Sequence, residues 1–389
     1  MNHLSAILDA YQQSQLDGCT AFLVTVVHTE GSTYRQVGAR MLITTQSEMT
    51  GIVSGGCLEQ DILCHVQQQT APYHPFVITY DTTTDEDIVW GFGLGCNGVV
   101  RVLVECLDAK PGSHTLNFIA ECFNQQQPGV LATVFGVEGN VGVEIGAHLN
   151  RYPDGSVDST IANDELHRMM TTDAQVALQQ NRTVHQQYRL PSGAVEALIE
   201  VIQPPPALTI FGAGRDVLPL AQFAKALGWH LTLVDCRSLE TTCDRFPIAD
   251  HIILTRRDVI DQHVSITKNT IAVVMTHNYH DDLAILTMLL ASPAQYIGVL
   301  GSRPRTEQLL QALIQTSNID LSKHLHRLHA PIGLDIGAET PEAIAIAIIA
   351  EIQAVLSDRP AGFLKHRSTP IHLPKPLNHL PELPTVAVF

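Results

Sequence analysis

The stretch from residue 207 to 235 constrains the fold most. Residues 208–211 form a short apolar run that reads as a buried strand, and it ends in Gly212-Ala213-Gly214. Residues 217–227 then read as a helix closed by Gly228, and 231–234 is a second apolar run ending at Asp235. Further strands are expected at 252–254, 271–275 and 296–300, with helices between them and a last long helix over 341–356. Such β-α-β alternation predicts a Rossmann-like, doubly wound parallel sheet.

Pro204-Pro205-Pro206 marks the boundary before this sheet. Consecutive prolines neither continue a helix nor sit inside a sheet, and they make a stiff extended link. The expected organisation is an N-terminal mixed α+β domain over 1–203, a linker at 204–206, the Rossmann-like domain over 207–356 and a Pro-rich tail at 357–389. Within the first domain, a glycine- and thiol-rich core spans 1–108 and a β-rich completion spans 115–203. Leu4, Ile7, Leu8 and Tyr11 recur at helical spacing, which predicts an amphipathic opening helix. Strands are expected at 21–27, 39–43, 51–53, 76–79, 99–105, 130–137, 141–145 and 197–202, a strand and turn at 182–193, and a helix at 58–69.

The 389 residues are 45% hydrophobic and 16% charged, with a formal net charge of −16. That balance argues against nucleic acid or a membrane surface as a general partner, because both demand basic patches. Arg35, Arg40 and Arg101 remain candidates for a local basic pocket. No segment reaches the ~20 apolar residues of a membrane span, and the polar N-terminus lacks the pattern of a signal peptide. The cytoplasm is therefore the expected compartment. Eight cysteines without a C-x-x-C indicate neither a zinc ribbon nor a disulfide framework, so reduced thiols are expected.

Two of those cysteines sit among glycines, Cys57 in Ser54-Gly55-Gly56-Cys57-Leu58-Glu59 and Cys96 in Gly93-Leu94-Gly95-Cys96-Asn97-Gly98. Glycine removes side-chain bulk and lets backbone N–H groups face a ligand, so both thiols are expected to line an open, anion-friendly pocket. Cys57 precedes a predicted helix, where the macrodipole lowers a thiol pKa. Glu59 is a candidate base beside it or, alternatively, a helix-terminus residue. Gly31-Ser32-Thr33-Tyr34-Arg35 with Gly38-Ala39-Arg40 offers hydroxyls and cations to an anion, or forms ordinary hairpin turns.

In the second half, Gly212 and Gly214 permit close approach of a phosphate, and Asp235 is placed to accept ribose hydroxyls. Val217 stands where that pattern usually has its third glycine. Thr276-His277-Asn278-Tyr279-His280-Asp281-Asp282 falls at the C-terminal end of a strand, where open α/β sheets bind ligands. His277 is its leading candidate, and the bland reading is a loop whose Asp281 or Asp282 caps the next helix. Gly301, Ser302 and Arg303 suit a phosphate or carboxylate, Asp335 lies between two glycines near the same edge, and Thr340-Pro341 reads as a helix cap.

Taken in order, these motifs resemble the XdhC/CoxI family, accessory factors that mature xanthine dehydrogenase and related molybdenum hydroxylases. The resemblance rests on Gly31-Ser32-Thr33, Gly38-Ala39-Arg40, Ser54 through Glu59, Gly95-Cys96-Asn97-Gly98, Pro204 through Gly214, Asp235, Thr276-His277, Gly298 through Arg303 and Pro331 through Ala338. Arg215, Pro304 and Asn97 stand where histidine, a basic residue and glycine are common in the family. The resemblance implies a chaperone-like role. Such a protein binds molybdenum cofactor (molybdopterin or a dinucleotide form), supports its sulfuration with a cysteine desulfurase as sulfur source, and inserts it into a molybdenum hydroxylase such as xanthine dehydrogenase. In that reading Cys57 contacts the metal or accepts sulfur, Cys96 lies across the pocket, and Gly55, Gly56 and Arg40 hold the cofactor's phosphate. A nucleotide in the Rossmann-like crevice and a homodimer are compatible additions. The competing readings are an NAD(P)-dependent oxidoreductase built on the second domain and a cysteine-nucleophile transferase or hydrolase centred on Cys57, for which His65 is the histidine nearest in sequence.

Overall fold

The computed structural model describes residues 2–56, 58–81, 98–107, 114–237, 241–317 and 320–369. Cys57 and Cys96 lie outside the described residues. The chain divides into two compact units, whose main segments are His3–Pro204 and Pro205–Leu373. No helix among the described residues is long and apolar enough to cross a membrane.

The first unit holds two antiparallel five-stranded sheets. Its elements are α1 (Asn2–Leu16), β1 (Ala21–Gly31), β2 (Arg40–Thr44), β3 (Met49–Gly51), α2 (Glu59–Gln67), β4 (Phe76–Asp81), β5 (Gly98–Leu107), α3 (His114–Asn124), β6 (Gly129–Gly139), β7 (His148–Arg151), β8 (Val157–Ser159), α4 (Asp164–Gln180), β9 (Val184–Leu190) and β10 (Gly193–Ile202). The strand orders are β3-β2-β1-β5-β4 and β8-β7-β6-β10-β9. Helix α1 forms on the expected stripe: Ile7 and Tyr11 are buried against Leu23 and Leu42. Strands β9 and β10 make a hairpin around Pro191 and Ser192, as the turn residues led us to expect.

Two strand expectations fail here. The expected strand at 51–53 is instead β3, Met49–Gly51, because the backbone N–H groups of Val53 and Ser54 turn away to the Glu59 carboxylate. The expected strand at 141–145 is a loop. Its alternating apolar residues are real, but they serve separate clusters: Val141 and Val143 pack beside α4 and β6, and Ile145 packs with Phe135 and Leu198. Alternation signals a strand only where a neighbouring chain completes the ladder.

The second unit contains β11 (Ala207–Phe211), α5 (Val217–Ala226), β12 (His230–Asp235), α6 (Thr241–Arg245), β13 (His251–Leu254), α7 (Ile260–His263), β14 (Thr270–Val274), α8 (Tyr279–Ala291), β15 (Tyr296–Val299), α9 (Arg303–Ser317), β16 (Leu328–His329) and α10 (Pro341–Leu356). All its strands are parallel, in the order β13-β12-β11-β14-β15-β16. Apolar residues of α5 and α10 cover one face, including Leu220, Ala224, Ile348 and Ile352. Residues of α8 and α9 cover the other, including Ile285, Leu289, Leu309 and Leu313. Burial on both faces explains the near-continuous apolar strands. This is the expected Rossmann-like doubly wound sheet. The order reverses between β11 and β14, so the ligand crevice of such a fold opens beyond their C-terminal ends.

Candidate functional site

The described residues before and after position 57 are linked by hydrogen bonds. The Glu59 Oε1 atom accepts hydrogen bonds from the Val53 and Ser54 backbone N–H groups, at 3.1 and 2.7 Å. Its Oε2 atom accepts from the Ser54 hydroxyl. That hydroxyl oxygen in turn accepts from the N–H of Gly56 at 3.2 Å and of Leu58 at 3.1 Å. Gly56 adopts a positive φ of 106°, a conformation a side chain would strain. Gly55 is exposed, and a side chain there would rest against the Tyr34 ring.

Burial of Glu59 works to raise its pKa, yet its hydrogen bonds outweigh burial and hold the carboxyl below its ordinary value. Both oxygens are engaged and the group stays ionised. In this arrangement Glu59 is a positioning residue rather than a free base. His65 does not replace it, because its Nδ1 lies 2.9 Å from the Asp61 carbonyl on its own helix.

Arg40 departs from the expectation of a free phosphate-binding cation. Its guanidinium makes a two-pronged ion pair with Glu200 on β10, with Nη1 donating to Oε1 at 2.9 Å and Nη2 to Oε2 at 2.5 Å. Nη1 also donates to the Gly38 carbonyl at 3.0 Å. The Arg40 side chain is only 1% exposed, so this cation ties one sheet to the other. Arg101 is committed likewise, 2.7 Å from Glu196 and stacked over the Phe135 ring. Of the three arginines, half-buried Arg35 makes no ion pair with a described residue. The two acids of β10, Glu196 and Glu200, among its apolar residues were the available signal that cations must face them. Close by, burial pushes the Glu105 carboxyl up to about 7 against the pull of the Arg40 charge.

In the second unit, the C-terminal strand ends bring most of the predicted residues to one edge. Gly212 follows β11, and a Cβ there would lie 2.5 Å from the Met275 carbonyl oxygen, so only glycine permits this close crossing. The next residues carry a feature that sequence reading missed. Asp216 precedes α5 without capping it. Its Oδ2 instead meets His277 Nε2 at 2.7 Å, and Gly214 keeps that carboxylate unobstructed. His277 holds a left-handed backbone (φ 60°) and its side chain is 57% exposed. A non-glycine residue with positive φ beside a crevice is a common mark of a working position.

Asp235 departs from the free ribose acceptor that the motif led us to expect. Its Oδ1 accepts from the Arg237 N–H at 2.9 Å and its Oδ2 from the Thr242 hydroxyl at 2.7 Å. The Arg245 guanidinium donates to the Ala213 carbonyl at 2.6 Å, across the glycine turn. Asn278 caps α8, not Asp281 or Asp282: its Oδ1 accepts from the N–H groups of His280 and Asp281. That leaves Asp282 buried at 1% exposure, accepting from the Thr276 hydroxyl and paired with Arg305 at 2.6 Å. Gly301 and Ser302 lie between β15 and α9, where the Ser302 carbonyl accepts from Thr306. Arg303 points along the outside of α9 to Glu307 at 3.1 Å, so Arg305 rather than Arg303 is the inward cation. Asp335 is exposed in the loop between β16 and α10. The predicted cap on α10 is present, with Thr340 Oγ1 accepting from the Ala343 N–H.

Comparison with known proteins matches both units. Residues 15–81 and 122–189 match the XdhC and CoxI family, and residues 208–352 match the XdhC Rossmann domain. Cys57 falls within the first matched segment, whereas Cys96 lies between segments. A protein of Bacillus subtilis described as a probable xanthine dehydrogenase subunit is 30% identical over 356 residues, covering 90% of this chain and 97% of that one. The uncharacterised protein YqeB of Escherichia coli is 28% identical over 229 residues, covering 56% of this chain and 42% of its own length. A crystal structure from Bacillus halodurans, described as a xanthine dehydrogenase, superposes with a TM-score of 0.70 at 26% identity, covering 92% of this chain and 98% of that one. With both of its units matched and a relative paired over nearly its full length, this chain is a member of the XdhC and CoxI family.

Proposed function

We propose that this protein is an accessory factor for a xanthine dehydrogenase-type molybdenum hydroxylase, and that it carries molybdenum cofactor as cargo to that enzyme. Family membership and the names of its relatives support the accessory role. The observation that carries the cargo reading is the latch around residue 57. Ser54 and Glu59 tie down the backbone on both sides of Cys57, which fits a thiol that must be presented in one place. A thiolate is a soft donor suited to a sulfur-ligated metal. In this reading Cys57 contacts the metal or receives sulfur from a cysteine desulfurase in the same cytoplasm, with Cys96 as its companion.

Arg40 is sealed in its pair with Glu200, so the cofactor's phosphate falls to the Gly55-Gly56 backbone and Arg35. The nucleotide-binding and oxidoreductase reading gains less support, because Asp235 already accepts two internal hydrogen bonds. The test is expression in a host that makes the cofactor, followed by assay of molybdenum and pterin in the purified chain. Both should co-purify with the native protein and fall sharply in Cys57→Ala. A chain free of molybdenum and pterin, or an undiminished load in Cys57→Ala, would sink the cargo reading.

A further inference from the structure

Among the described residues, a cluster of metal-ligating side chains includes no residue of either glycine turn. It joins the start of α3 to the β7–β8 hairpin. We propose that His114, His148 and Asp158 form a binding site for a divalent transition-metal ion of the zinc type, with at least one coordination position left to water.

Three observations carry this. The first is spacing. One ring nitrogen from each histidine and one Asp158 oxygen all lie within 4.8 Å of one another. His114 Nδ1 and Asp158 Oδ2 are 3.4 Å apart, and the two imidazole centroids are 4.9 Å apart. Tetrahedral zinc with bonds of ~2.0–2.1 Å sets its ligands about 3.3 Å from each other. One edge of the site therefore has that length already. His114 is exposed and free to close the rest.

The second observation is an uncommitted nitrogen. His148 is 8% exposed, and its Nε2 is buried without a hydrogen-bond partner among the described residues. A buried ring nitrogen without a described partner is open to a metal ion. The contact of the ring with the Gly146 backbone matches the support that metal-bound histidines ordinarily receive.

The third observation is Asn150, two residues along β7 and thus on the same face as His148. It stands directly opposite Asp158 in the β7–β8 register. Asn150 is 0% exposed, and neither its Oδ1 nor its Nδ2 has a partner among the described residues. A buried amide with no described partner calls for a water or an ion that completes it. The Phe118–Tyr152 ring contact, with centroids 5.0 Å apart, confirms that α3 lies over this face. A bound ion would clip that helix to the sheet, and its waters would reach toward the buried amide.

The test uses the full-length chain and the metals alone. Zinc titration, followed with a chromogenic chelator, should show one equivalent that is lost in His114→Ala and in Asp158→Asn, with affinity reduced at least ~10-fold in each. Both side chains are exposed enough for these variants to fold even where a change at His148 does not. Cobalt should give the ligand-field absorption of a nitrogen and oxygen site, without the near-ultraviolet charge transfer that marks thiolate ligation. Zinc should raise the thermal midpoint of the native chain and leave Asp158→Asn unmoved. An equivalent retained in both variants, or cobalt bound only through thiolate, would overturn the site and leave the cargo reading untouched.

Discussion

Two glycine turns in this protein lead into helices, and they handle their acids in opposite ways. In the turn at 54–59, Glu59 reaches back from α2, is buried, and closes the loop on Ser54. In the turn at 212–217, Asp216 reaches outward to His277, whose side chain is more than half exposed. The first acid holds the backbone N–H groups of Val53 and Ser54. The second holds a histidine at a crevice edge, in reach of solvent and ligand. Similar residue types thus serve a rigid mount in one unit and an accessible polar pair in the other, and burial decides which.

Burial matters most at the charged pair that joins the two sheets of the first unit. Arg40→Ala strands the Glu200 carboxylate and should destabilise the chain by about 3–5 kcal/mol, as read by denaturant unfolding. A loss well under ~1 kcal/mol, the range of an exposed pair, would mean that Arg40 is freer than its geometry shows. Glu59→Ala should cost about 1–3 kcal/mol, with faster amide hydrogen exchange at Ser54, Gly56 and Leu58.

The Glu59 pKa is lowered in the fold, so its contribution is present above the ordinary carboxyl value and is lost as pH falls through the folded value. Glu59→Gln should therefore flatten the acid limb of the stability curve. Glu105 has the opposite sign. Its folded pKa of about 7 lies above the ordinary value of 4.5, so the fold loses stability as pH rises between them. Glu105→Gln should remove that decline, and an unchanged slope would show that the Glu105 carboxyl titrates normally. The smallest effect belongs to the exposed pair. Asp216→Asn should alter stability by less than about 1 kcal/mol while shifting the His277 ring resonances in a histidine-selective NMR spectrum.

Much of this was legible beforehand, for reasons that particular residues show. The doubly wound sheet declared itself because its strands are buried on both faces and read as short apolar runs between turn residues. Thr340-Pro341 announced its helix because cap chemistry is local. The loop over 141–145 misled because alternation carries no information about whether a partner strand exists. Asp216 was passed over because an acid before a helix ordinarily caps it. Only its neighbour across the fold, His277, gives it another task. Arg40 and Asp235 looked like ligand residues because their motifs offer charge, and a motif does not disclose which partner the charge already has.

The order of apolar runs, glycines and prolines along this chain was sufficient to establish a mixed α+β unit, a parallel sheet and the family to which both belong. Those signals act between residues close in sequence. The fates of the charged groups waited on folding, because Glu200 lies 160 residues from Arg40, and Asp216 lies 61 residues from His277. A charge is claimed by whichever opposite charge or dipole the fold brings within hydrogen-bond reach, and that distance exists only in three dimensions.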